Sequence, residues 1–149
     1  MEVKSLRIED SQTIFDWERS RLEEQGLSEI EAQMESWKSR WRMEELEHYL
    51  EQGWCFGAFS NGSLQAYVLA KVIPFFRSHT QVLWIENLGF KEEDSIKTLT
   101  KVIYSYAREK HLQSIFSEAG DFIEFSENRD SWKQVDQIFY KINTSKNED

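Results

Sequence analysis

The chain has 149 residues and a formal net charge of −9, one domain's worth of sequence and too short for two comfortable cores. Apolar residues make up 40% and aromatics 14%, enough to fill a core, so global disorder is excluded; one Pro and 6 Gly exclude a fibrous or loop-rich chain. The negative balance repels phosphate backbones and anionic membrane surfaces, so neither nucleic acid nor membrane is an expected partner. Residues 1–53 carry 14 acids against 7 bases, and any charge-steered partner is therefore cationic and approaches that half.

A single cysteine, Cys55, excludes an internal disulfide framework and a cysteine-based zinc cluster. Its position in an apolar stretch without a neighbouring His predicts a buried, inert thiol. His48, His79 and His111 fall on different elements and lack ligand spacing, so no metal site is expected. Met1-Glu2-Val3-Lys4 is followed by no apolar stretch, and the longest apolar run, 66–76, is interrupted by Lys71 and Pro74. That reads as a cytoplasmic protein with neither secretory signal nor membrane span.

Along the chain, Val3, Leu6 and Ile8 predict a short opening strand. Asp10 or Ser11 is placed to cap a helix whose stripe is Ile14, Phe15, Glu18 and Leu22, with Glu18 out of character. Ser28 is a second cap candidate. Ile30, Met34, Trp37 and Trp41 recur at helical spacing, and Leu46, Tyr49 and Leu50 continue an apolar stripe until Gly53 ends it. The two indoles read as core anchors.

After Gly53 the period changes to two. Residues 54–60 and 64–73 predict a hairpin about Asn61-Gly62, the pair that a turn with two positive φ angles favours. Pro74 predicts an end or bulge in the second strand. A reversal over residues 77–80 leads to a third strand over 81–90. Residues 92–110 return to helical period, with Ile96, Leu99, Ile103, Tyr106 and Ala107 on one face. A short strand over 112–116 then pairs in parallel with its predecessor through a right-handed crossover. Phe122, Ile123 and Phe125 predict a helical turn, residues 137–142 a last strand, and 144–149 a frayed tail behind a single domain of residues 1–143.

This order is similar to the GNAT acetyltransferase superfamily. At residue level the resemblance rests on Trp54-Cys55-Phe56-Gly57-Ala58-Phe59 with the Asn61-Gly62 turn, on Leu83-Trp84-Ile85-Glu86-Asn87-Leu88, and on Tyr106-Ala107-Arg108-Glu109-Lys110. It implies an α+β fold: a mixed central sheet, an antiparallel meander plus a parallel strand pair, with helices on both faces. It also implies transfer of an acetyl group from acetyl-CoA to a primary amine. The fourth and fifth strands then splay, the pantetheine arm lies against the backbone of Leu88, Gly89 and Phe90, and the pyrophosphate sits near Lys91, Ser95 and Lys97 at the opening of the central helix. Glu86 takes the position of a carboxylate general base, for which apolar neighbours and a raised pKa are the expected conditions.

Two departures from that pattern are visible. Lys91-Glu92-Glu93-Asp94-Ser95 replaces a glycine-rich phosphate loop, and three carboxylates oppose an anion that Lys91 and Lys97 only partly attract. Where the family places an acidic Tyr after the fifth strand, this chain has Phe122 and Phe125, while Tyr140 falls in the last strand. Three readings stay open. One is an N-acyltransferase acting on a small amine or basic peptide. The second is a catalytically silent GNAT-fold binding or regulatory protein that uses the same acidic cleft. The third is a small acidic secretion-chaperone-like protein.

Overall fold

The computed structural model describes residues 1–26, 28, 31, 43–135, 142 and 144. The stripe Ile30, Met34, Trp37 and Trp41, residues 137–141 of the strand expected over 137–142 with its Tyr140, and most of the expected tail over 144–149 lie outside the described residues.

Among the described residues five strands form one sheet in the order β1-β2-β3-β4-β5: β1 Glu2–Ser5, β2 Phe56–Ser60, β3 Ser63–Phe76, β4 His79–Phe90 and β5 Ser114–Ser117. All neighbours are antiparallel except β4 and β5, which run parallel. The α-helices among the described residues are α1 Ser11–Glu24, α2 Met43–Glu51, α3 Glu93–Glu109 and α4 Gly120–Glu124. This is the α+β architecture of the sequence reading, with the meander and the parallel pair in place.

The sheet is buried on both faces. Toward α3, Val68, Ala70, Leu83 and Ile85 pack against Ile96, Leu99, Ile103 and Ala107, which are four of the five residues of the predicted stripe; Tyr106 packs at its margin. Toward α1 and α2, Leu64, Tyr67 and Leu69 meet Ile14, Trp17, Leu46 and Leu50. Alternation along β3 places consecutive side chains in opposite layers, and Tyr67, Val68, Leu69 and Ala70 at its centre are accordingly all buried.

Several boundaries move for stated reasons. Asn61 and Gly62 take φ 52° and 80°, as their turn requires. The second reversal is tighter than 77–80: Arg77 and Ser78 alone turn, with φ 50° and 71°, and His79 pairs with Phe76. The strand does not end at Pro74, which keeps its register opposite Gln81; the irregularity falls one residue later, on Phe75 at φ 52°. The opening strand stops at Ser5, and Ile8 enters a short 3-10 turn and is exposed.

Neither cap candidate of α1 works as expected. Asp10 precedes Ser11 without a side-chain cap bond and instead accepts from the Arg7 amide at 2.8 Å. Ser28 does cap, accepting the Glu31 amide at 3.1 Å. Cys55 is fully buried, and burial pushes its thiol up to about 12 despite a lowering hydrogen bond with Ala70.

The stripe of α1 includes Trp17, whose indole donates to the Leu64 carbonyl at 2.8 Å. Glu18 is no misfit. It lies against the sheet, accepting from the buried Tyr67 hydroxyl at 2.5 Å and from Arg21 at 2.9 Å. Gly89 makes room for this cluster: a Cβ there would come within 2.6 Å of both Glu18 Oε1 and Tyr67 Cε1.

Candidate functional site

The register of β3 and β4 slips once. Leu69 faces Asn87 and Ala70 faces Ile85, so Glu86 is the extra residue of a bulge. A bulge re-aims the residue it contains. Here the carboxylate turns toward α2; Trp84, two residues earlier on β4, donates its indole hydrogen at 2.6 Å, and the Tyr49 hydroxyl of α2 forms a second hydrogen bond.

Helix α2 supplies the other wall. Leu46 and Leu50 bury one side of it, and the 3.6-residue period leaves Glu44, Glu45, His48 and Tyr49 on a neighbouring side. Together with Glu86 they line a cavity of about 360 Å³. Gln52 Nε2 lies 3.0 Å from His48 Nε2, fixing the imidazole at its rim. Burial, then the charge and hydrogen bond of Glu86, push the Tyr49 hydroxyl far above the ordinary tyrosine range, so it stays protonated and acts as a donor. Three carboxylates around one opening attract a cation and lower its free energy there in proportion to how little water separates them.

The sequence reading puts Glu86 on the fourth strand, and the structure places it beside α2, whose Glu44 and Glu45 belong to the acidic stretch of residues 1–53. It missed Tyr49, read there as part of an apolar stripe. Its signal was faint: Tyr49 follows Glu45 by four residues, one helical turn, and so shares its side of the helix.

The six residues expected around a cofactor lie away from this cavity. Parallel pairing of β4 with β5 ends at Ile85 and Ser117, so the last five residues of β4 extend past β5. Leu88 and Phe90 turn toward the α3 layer and pack on its core, whereas Gly89 faces α1. Lys91 Nζ is 3.2 Å from Glu24 and rests 5.7 Å from the centre of the Trp17 ring. Lys97 Nζ is 3.9 Å from Glu93. Ser95 is 1% exposed, and both its amide and its hydroxyl are bonded to the Glu92 carbonyl, at 3.2 and 2.6 Å.

A pyrophosphate needs converging free amides and a backbone that it can approach. The start of α3 presents Glu92, Glu93 and Asp94, all exposed, and no glycine stands between Phe90 and Ile96. Carboxylates in a first turn favour the helix dipole, which explains them as helix-starting residues. The donor set does not fit the phosphate end of acetyl-CoA.

No protein family and no curated protein sequence matches the chain. Solved structures do. A ribosomal-protein-alanine N-acetyltransferase from Brucella melitensis biovar Abortus 2308 aligns over 96% of this chain and 99% of its own, with TM-score 0.63 and 15% identity. An aminoglycoside acetyltransferase from an uncultured soil metagenomic sample, in complex with sisomicin, covers 95% and 96% with TM-score 0.61 and 18% identity. A predicted acetyltransferase from Clostridium acetobutylicum, with acetyl-CoA, covers 95% of each chain with TM-score 0.62 and 12% identity. The shared element order, the parallel pair that ends at Ile85 and the near-complete coverage lead to one conclusion: this chain has the fold of the GCN5-related N-acetyltransferases.

Proposed function

We propose that the chain binds a cationic amine, either a small primary amine or a basic peptide side chain, in the cavity under Glu86. The observation that carries this reading is the convergence of Glu44 and Glu45 from α2 with Glu86 from the bulge on one opening. Tyr49 and Trp84 hold the Glu86 carboxylate in place, and Glu86 is the group best positioned to accept a proton from a bound ammonium.

Acyl transfer to an amine is the chemistry of proteins that share this fold, including one solved with sisomicin. Two observations pull in different directions on whether this chain performs it. The bulge at Glu86 and the free length of β4 beyond Ile85 favour an N-acyltransferase with Glu86 as general base. The acidic opening of α3 and the committed side chains of Ser95, Lys91 and Lys97 favour a GNAT-fold binding protein without turnover. The second reading is the better supported, because a base without a site for the donor's phosphates performs no transfer.

Calorimetric titration tests it. Spermidine and a lysine-rich peptide are expected to bind with an affinity that falls as salt rises, and Glu86→Gln is expected to weaken them about tenfold, in line with the loss of one close charge–charge contact. Absence of any heat at millimolar amine would sink the reading. Acetylated product formed from acetyl-CoA and an amine would restore the acyltransferase.

A further inference from the structure

In the resemblance drawn from the sequence, an acyl-CoA arm occupies the gap past the divergence of β4 and β5. In this chain aromatic side chains pack beside the end of that stretch of β4. Phe90, the last residue of β4, meets Phe125, which follows α4, edge to face with ring centroids 5.4 Å apart. The Phe125 carbonyl accepts from Thr100 Oγ1 at 3.2 Å, and Thr100 is a buried residue of α3, so α4 is tied to α3 across the opening. Phe122 is 1% exposed within the α3 core. Trp132 closes over it, with centroids 5.9 Å apart and its indole donating to Ser126 Oγ at 3.1 Å.

The geometry points to the segment 120–132 as a built-in occupant of the space where an acyl-CoA arm would lie, which leaves the amine pocket open and the cofactor side shut. An arm entering along Leu88 toward α3 has to part Phe90 from Phe125, exposing ring surface on both sides and breaking the Thr100 bond. This wedge excludes the arm independently of the carboxylates at the start of α3. It rests on the amine-binding reading only for the role of the open pocket.

S-acetylpantetheine lacks the nucleotide and is blind to those carboxylates, so it separates the wedge from the charge. Titrated into the intact protein by calorimetry, it and acetyl-CoA are both expected to show no binding below millimolar concentration. Phe125→Ala is expected to bind S-acetylpantetheine at least about tenfold more tightly than the unmodified chain, because the binding-competent state is no longer a minor one. Phe125→Leu, which keeps apolar contact on a smaller side chain, is expected to gain about threefold by the same logic and serves if the alanine variant does not fold. Micromolar binding of either compound by the unmodified chain overturns the inference, as does a folded Phe125 variant that gains nothing. Spermidine titrated in parallel reports on the pocket alone: its failure removes the amine reading and leaves the wedge standing.

Discussion

The two ends of the free stretch of β4 keep different company. At Glu86 the strand bulges, and a charged side chain is delivered to a cavity lined from α2 by Glu44, Glu45, His48 and Tyr49. Four residues later, at Phe90, the strand meets aromatic rings and a buried helix face. One strand can carry a polar surface at one point and core at another, because the two side chains lie in opposite layers of the sheet and pack independently.

The largest test of that contrast is Phe122→Ala. Removing a fully buried ring from the α3 core should destabilise the protein by about 3–5 kcal/mol, read as a lowered urea midpoint. A loss below about 1 kcal/mol would mean that the wedge is a surface flap and not core. Gly89→Ala comes next. Its Cβ would collide with Glu18 and Tyr67, so overpacking of about 1–3 kcal/mol is expected, and a neutral result would show that α1 yields easily at the end of β4.

Glu86→Gln should cost no more than about 1.5 kcal/mol of stability, since the amide oxygen still accepts a hydrogen bond, while weakening amine binding, whereas Phe122→Ala should do the reverse in a folded protein. The separation of the two effects is what the comparison predicts, and a stability loss in Glu86→Gln as large as that of Phe122→Ala would erase it.

Alkaline pH gives the smallest effect under ordinary conditions. The Cys55 thiol is raised from 9.0 to about 12 by burial, and Tyr49 is raised as well. The unfolded chain therefore loses these protons first. Their contribution to stability is complete below pH 9 and declines as pH climbs toward 12. Melting temperature should be level up to pH 9 and fall beyond it. Native Cys55 should ignore a thiol reagent at pH 8; rapid labelling there would contradict its burial.

Much of the fold was legible locally. The Asn61-Gly62 turn, the α3 stripe and the short helix at Phe122 follow from backbone preference and periodicity within a few residues. The places that resisted reading depend on partners far along the chain. Glu18 looked misplaced because Tyr67, its hydrogen-bond donor, is 49 residues away. Tyr49 looked like core because nothing near it in sequence announces Glu86. The strand through Pro74 outlasted its proline because pairing with β4 resumes on the far side.

The order of elements, the acidic character of the N-terminal half and the absence of a glycine nest at α3 were determined by the sequence alone, since each depends on residue type and spacing over a turn or a strand. Only tertiary structure decided that Glu86 bulges toward α2, that Tyr49 becomes its donor, and that Phe90 meets Phe125 edge to face. Those outcomes depend on register and on layer assignment, where a shift of one residue sends a side chain to the opposite face of the sheet.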